Sequence, residues 1–299
     1  MTQRRFETQQ LWDWRAAAYL FLAGVGSGST LVAMAYALLF ESYSVVTGVG
    51  LTMGPLLVIL GCLFLFLDLG RPLLSYLAPS RPGHSWISRG FLILSAFVIL
   101  GLIHSALWIW PWQVMEEGGG IWTVLGVLNA ILALLTATYT ALLLGSSSLP
   151  FWNTPILPVL FLVSSVSTGI AAIVFVTLHL LRLSLPYGEV SFLLQADGVL
   201  IVLEILLIIL YLYGMKLGTV AKASVMNVVS GRLAGLFWVG LVGIGLVIPL
   251  VSEWAGDWTF LPTVCTLIGG YLFRHIVVMA GIKIPLSAQG VIIPIPGKN

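Results

Sequence analysis

Along this chain polar residues are confined to short gaps between long apolar runs. Measured against the ~20 residues needed to cross a hydrocarbon core, the runs predict eight spans, near residues 16–40, 48–67, 89–110, 121–145, 156–181, 193–213, 232–252 and 262–281. Each run is too long and too continuous for a barrel strand. A backbone in lipid must pair its amides within its own segment or around a closed barrel. The pattern therefore predicts an all-α membrane protein with eight transmembrane helices. The basic amino terminus with an apolar run behind it has the layout of a signal peptide. That run, however, is about twice a signal's ~7–15 residue apolar region, and no small-residue cleavage site follows, so a permanent first helix is expected.

Composition agrees. With 59% hydrophobic and 8% charged residues and a mean hydropathy of +1.08, the chain is more apolar than a soluble core of its size can bury, so lipid is its solvent. An even number of spans leaves both termini on one side. Of the 13 basic residues, Arg4, Arg5, Arg15, Arg71, Arg81, Arg89, Lys216, Lys222, Arg232, Arg274, Lys283 and Lys298 fall on or toward that side, and only Arg182 falls opposite. Basic loops stay in the cytoplasm, which predicts cytoplasmic termini and cytoplasmic loops at 68–88 and 214–231. Glu41, Glu116, Glu117, Glu189, Glu253 and Asp257 fall in the opposite loops.

Function then has to lie in the few polar groups that lipid would reject. Cys62 and Cys265 sit inside predicted spans without clustered spacing. By themselves they hold neither an iron–sulfur cluster nor zinc, and they read as small apolar core residues. His84 falls in a cytoplasmic loop; His104, His179 and His275 fall in spans three, five and eight. A bis-histidine haem needs two imidazoles at matching depth on neighbouring helices. His104 and His179 both fall toward the non-cytoplasmic end, which keeps a haem-bearing cytochrome b-type anchor as one alternative. The plainer reading is one buried, hydrogen-bonded histidine per helix.

Several motifs occur together. Trp12-x-Trp14 leads into Tyr19-Leu20-Phe21-Leu22-Ala23-Gly24-Val25-Gly26-Ser27-Gly28, and Asp68-Leu69-Gly70-Arg71-Pro72 closes span two. Further along come Pro150-Phe151-Trp152-Asn153-Thr154-Pro155, Ser164-Ser165-Val166-Ser167-Thr168-Gly169, Phe237-Trp238 and Gly269-Gly270-Tyr271-Leu272-Phe273-Arg274. In combination, from about residue 12 to 281, they resemble the NrfD/PsrC family, the membrane subunits of polysulfide-reductase-like complexes. The resemblance implies a prokaryotic inner-membrane protein with no haem, iron–sulfur cluster or metal of its own and no catalysis by the chain alone. It further implies a quinone, menaquinone or ubiquinone, bound between helices. The partner would be an iron–sulfur subunit that relays electrons to or from a molybdenum or tungsten catalytic subunit.

The residues bear on this independently. A quinone needs polar partners for two carbonyl oxygens and a route for protons. Tyr19, Asp68, Arg71 and Tyr139 all fall at the cytoplasmic depth, with Trp14 and Arg15 next to them. These six are the candidate quinone-binding residues. Interfacial anchoring for the tyrosines and a helix-ending salt bridge for Asp68 with Arg71 are the structural alternatives. Gly24, Gly26 and Gly28 thin one side of the first helix, for close packing or for a flat ring.

A shift of 140 residues aligns Trp12 with Trp152, Leu20-Phe21-Leu22 with Leu160-Phe161-Leu162 and Ser27 with Ser167. This suggests two four-helix bundles, 16–145 and 156–281, joined by a loop at 146–155, with a cytoplasmic segment 1–15 before them. A tail, 282–299, is broken by Pro285, Pro294 and Pro296 and reads as an extended strap, not a ninth helix. The second bundle holds deep charges. Asp197 and Glu204, seven residues apart, share one face of span six about 10 Å apart along the axis. An ionised carboxylate at that depth is costly unless paired. His179, Arg182 and Arg274, with Ser165, Ser167 and Thr168, are the available partners, either in a proton path or in a buried polar knot that fixes packing. A secondary transporter is the remaining alternative, although the broken, short spans of one are not evident.

Overall fold

The computed structural model describes residues 7–9, 12–40, 44–68, 83, 85–109, 120–147, 149–255, 259–283, 287–288 and 291–292. Eight helical spans among them are long and apolar enough to cross a membrane, and the protein is a multi-pass integral membrane protein. Helices α1 (Trp14–Phe40), α2 (Val45–Asp68), α3 (Trp86–Ile109) and α4 (Gly120–Gly145) come first. Helix α5 (Ile156–Phe175) continues into a π-helical turn, Val176–Leu180, and is followed by α6 (Tyr187–Met215). A short α7 (Thr219–Val229) precedes a π-helix, Leu236–Val247, which runs into α8 (Ile248–Ala255), and α9 (Phe260–Met279) is last. Arg71, Arg81, His84, Glu116, Glu117, Asp257 and the tail beyond Ile292 lie outside the described residues.

Packing runs from α1 to α2, α2 to α3, α3 to α4 and α4 back to α1; a second circuit joins α5, α6, α8 and α9, with the π-helix against α9. Helices α1 and α5, the pair that the 140-residue shift aligns, are the most buried of the spans and pack on each other. Their contact is backbone on backbone. A β-carbon at Gly28 would run into the Ser165 carbonyl, and one at Gly169 into the Gly28 backbone. Small residues allow this approach in lipid, where dispersion between close surfaces replaces the hydrophobic drive. Gly26 meets the Gly54 carbonyl of α2 in the same way. Gly26 and Gly28, two of the three glycines, are thus spent on helix packing.

Other departures from a plain α-helix are locally compensated. Pro55 lies inside α2 and has no N–H for the Leu51 carbonyl four residues back. Ser105 of α3 donates its hydroxyl to that carbonyl at 2.8 Å instead. Gly245 of the π-helix lies against Gly269 of α9, each where the other would carry a β-carbon.

A segment before α1 meets one that follows α9. Glu7–Thr8 pairs antiparallel with Ile282–Lys283, and the Gln9 amide donates to the carbonyls of Trp12 and Val278. The Gln9 N–H donates to the Gly281 carbonyl at 2.8 Å. Trp152 reaches the same corner, its indole N–H donating to the Val277 carbonyl at 2.8 Å. The starts of α1, α3 and α5 and the ends of α2, α4 and α9 therefore share one face of the protein, the terminal face.

Candidate functional site

Six residues into α1 from the terminal face, Tyr19 is fully buried; Tyr139 meets it from the closing turns of α4. The two hydroxyls face each other with the Cys62 thiol of α2 beside both. They lie within reach of each other, but the Tyr19 hydroxyl has no hydrogen bond of good geometry among the described residues. A buried hydroxyl with no partner is costly, so it marks a place where a further acceptor or donor fits. The Tyr139 ring is held by α3, where Gly90 supplies the room that any side chain would fill. All four helices of the first circuit therefore contribute to this point.

Trp14 and Arg15 stand above it. Trp14 is half exposed and sets its ring edge-on against Phe64 at 6.2 Å. Arg15 donates from Nη1 to the Leu67 carbonyl at 3.2 Å, placing a cation at the carbonyl end of α2, where the helix dipole favours it. Its backbone N–H is capped by the Asp13 carboxylate at 2.7 Å. Asp68 is the last residue of α2; its side chain and Arg71 lie outside the described residues. Four of the six candidate quinone residues are thus placed, all at one end of the first circuit. Cys62 and Gly90 were not legible as members. The only available signals were a thiol on the same helix as Asp68 and a glycine among bulky neighbours.

The second cluster is built around Arg274 of α9, which is completely buried. Its Nη1 donates to Ser164 Oγ at 3.3 Å and to the Gly270 carbonyl at 2.9 Å, and its Nη2 donates to Ser165 Oγ at 2.9 Å. The guanidinium carbon lies 5.5 Å from the centre of the Phe161 ring and 5.9 Å from that of Phe273, within cation–π range. Gly24 of α1 completes the cage, since a β-carbon there would overlap the guanidinium. Glu204 of α6 faces Ser164 and the Arg274 charge, so Ser164 stands between acid and base. This explains a cation so deep in the protein: hydrogen bonds and an opposite charge compensate the loss of water.

Two turns along α6, Asp197 faces Ser167, Thr266 and Glu253. Glu253 reads as a loop acid in the sequence. In the structure it lies on α8 and turns its carboxylate back over Gly198 of α6, where a β-carbon would be 3.0 Å from Oε2. The expected partners His179 and Arg182 are placed elsewhere. His179 shares a hydrogen bond of 3.1 Å between Nε2 and Thr259 Oγ1 and packs against Phe175 and Phe260. Arg182 is exposed, with a positive φ of 53°, a conformation few side chains adopt. Glu204 and Arg274 are thus brought together with Asp197 two turns along α6, while His179 and Arg182 have other surroundings.

The histidines face different neighbours. His104 lies edge-on to Trp122 of α4 at 4.5 Å, whereas His179 turns to the start of α9. His275 stacks on Tyr271 at 5.8 Å. Among the described residues no group of three or more His, Cys, Asp or Glu side chains is placed to hold a metal ion.

The family described as polysulphide reductase, NrfD, matches residues 4–285. Among known relatives the protein is 30% identical to protein NrfD of Escherichia coli K12, over 91% of its own length and 95% of that relative. It is 31% identical to the C subunit of the polysulfide reductase of Wolinella succinogenes, over 81% and 82% of the two lengths. It is 29% identical to an NrfD homolog of Haemophilus influenzae, over 92% and 96%.

Proposed function

The protein belongs to the polysulphide reductase NrfD family, and from that premise we propose that it is the quinone-exchanging membrane subunit of a multisubunit redox complex. Electrons pass between the quinone pool, menaquinone or ubiquinone, and an iron–sulfur partner, and through that partner to or from a molybdenum or tungsten catalytic subunit. The observation that carries the reading is the Tyr19–Tyr139 pair: two buried phenols from the adjoining helices α1 and α4, one with an unspent hydroxyl, at the end of the span where Arg15 meets α2. A quinone carbonyl is an acceptor for such a donor, and the phenols are positioned to give and take the proton that accompanies each electron.

Asp68 and Arg71, at the end of the same span, complete the polar rim in this reading. The first four helices form the quinone unit, and Asp197, Glu204 and Arg274 of the second four form a proton route, with His179 and Arg182 at its outer end. The distribution of Lys and Arg favours cytoplasmic termini, so the iron–sulfur partner docks on the terminal face from the cytoplasm. The test is Tyr19→Phe and Tyr139→Phe in the assembled complex. Both should leave assembly intact and slow electron exchange with quinone, while electron transfer from an artificial donor to the partner's clusters is unchanged. Equal loss of both activities would assign the tyrosines to assembly instead.

A further inference from the structure

Toward the terminal face, α6 and the π-helix that follows it in the chain stand apart. In the other half of the membrane α6 packs on α8, with Gly198 facing Glu253. Between the separated halves runs a groove of about 480 Å³. Ile208, Phe237 and Leu246 line it and are buried, whereas Tyr213 and Trp238 line it and are exposed, so the groove opens to lipid.

Both walls are regular. On α6 the lining positions step by threes and fours from Ile205 to Lys216, which is one face of an α-helix. On the other wall Phe237, Val242 and Val247 lie five apart. In an α-helix such positions would point about 140° from one another, but the five-residue hydrogen-bond step of a π-helix brings them to one side. The π-helix thus keeps a straight apolar wall opposite α6.

Length decides what fits. From Ile205 to Lys216 the wall runs about 16 Å along the helix axis, half of the ~30 Å hydrocarbon core, and the contact of α6 with α8 closes it beyond that depth. A transmembrane helix of a partner needs the whole thickness. An acyl chain of a lipid in the leaflet at the terminal face needs only half. Tyr213 and Trp238 flank the mouth, where aromatic side chains meet headgroups, and the Trp238 indole N–H donates to the Val229 carbonyl at 3.0 Å, which ties that lip to the end of α7.

Charge decides which headgroup. Lys216 lines the mouth itself. Between Glu204 and Glu253 the chain carries three basic residues, Lys216, Lys222 and Arg232, and no acid, and all three are exposed. Lys222 lies on α7, which ends at Val229 in the groove wall. Arg232 follows in the turn that Asn227 fixes, its side-chain oxygen accepting the Arg232 N–H at 3.3 Å. An apolar slot below a cluster of cations without counter-ions of their own is complementary to a lipid with a net negative headgroup. A zwitterionic headgroup would bring an ammonium to the same cations.

We infer that the groove between α6 and the π-helix is a binding site for an anionic phospholipid, with one acyl chain between the two walls and the phosphate held by Lys216 and Arg232. The site goes beyond the quinone reading and does not depend on it. It is tested on the full-length protein in mixed micelles with phosphatidylglycerol or phosphatidylcholine carrying a photoactivatable diazirine on one acyl chain, the adducts being mapped by peptide mass spectrometry. One basic residue near an anionic headgroup changes binding about five-fold, so phosphatidylglycerol should label segments 205–216 and 237–247 at least about five-fold more than phosphatidylcholine does. Lys216→Gln combined with Arg232→Gln should remove that preference and leave phosphatidylcholine labelling unchanged, whereas Lys216→Arg with Arg232→Lys should retain it. Val242→Phe fills the groove without touching a charge and should lower phosphatidylglycerol labelling there several-fold. Equal labelling by the two lipids, or a preference that survives the double glutamine variant, overturns the site and leaves ordinary boundary lipid. Labelling unchanged by Val242→Phe places the chain outside the groove. Labelling of other lipid-facing segments with none in the groove also overturns the site and shows that protein covers it.

Discussion

The outer edge of the Tyr139 phenol, its Cζ, Oη and Cε2, fills the space in which residue 90 would carry a β-carbon. Tyr139 and Gly90 are therefore one unit, although they lie on different helices. Gly90→Ala should push the phenol away from Tyr19 and reproduce the loss expected of Tyr139→Phe without touching a hydroxyl. A single hydrogen bond is worth about 0.5–1.5 kcal/mol, so each variant should slow quinone turnover by roughly two- to twelve-fold. Steady-state turnover against quinone concentration measures this. Full activity in Gly90→Ala would show that the position of the ring does not matter.

Asp68 closes α2 beside the carbonyl that Arg15 takes. Asp68→Asn should reduce quinone-linked turnover while subunit assembly survives. If Asp68→Asn and Tyr139→Phe both retain full activity, the site is elsewhere, and Trp14, Arg15 and Tyr19 become the next residues to substitute.

Removing the charge of Arg274 should be expensive in stability. Arg274→Met leaves Glu204 buried without its positive neighbour, and breaking a buried pair from one side typically costs about 3–5 kcal/mol. The variant should unfold at a clearly lower temperature in detergent. Arg274→Met with Glu204→Gln should recover part of the loss, because the surviving group is then neutral. Arg274→Lys should not rescue, since a point charge cannot reach Ser164, Ser165 and the Gly270 carbonyl at once. Additive losses in the double variant would show that the two residues act separately.

Glu204→Gln also separates the proton route from packing. It keeps shape and hydrogen-bonding capacity but removes titration, so assembly and electron transfer should persist while proton coupling in vesicles is lost or altered. Unchanged coupling in both Glu204→Gln and Asp197→Asn would leave the two carboxyls with a purely structural role.

Sidedness is accessible to a reporter fused after Asn299, which should behave as cytoplasmic if basic residues set the orientation. A periplasm-active fusion would reverse the assignment of the terminal face and of the partner's docking side.

The spans were legible because lipid imposes one rule on every residue in them, and a run of some 20 apolar positions has no other use. The π-helix Leu236–Val247 was not legible. A five-residue hydrogen-bond step uses the same apolar composition as a four-residue one, and the contact of Gly245 with Gly269 within it is a property of two helices. Helix α7 was hidden by its shortness, since its 11 residues fall below any spanning length. At the candidate sites, Tyr19 and Tyr139 were legible through depth alone. Glu253 was misread as a loop acid because the seventh span was ended near 252, whereas α8 carries it to Ala255. His179 and Arg182 were grouped with Asp197 by sequence order. The turn at Arg182 and the bond of His179 to Thr259 carry them to other neighbours.

The pairing of Glu7–Thr8 with Ile282–Lys283 has a consequence for how the protein is made. The strand that emerges first from the ribosome finds its complement only when α9 and the residues just beyond it have been synthesised, and Gln9 waits for the Val278 and Gly281 carbonyls over the same interval. Closure of the terminal face is thus a late event of biogenesis and requires α9 to be seated.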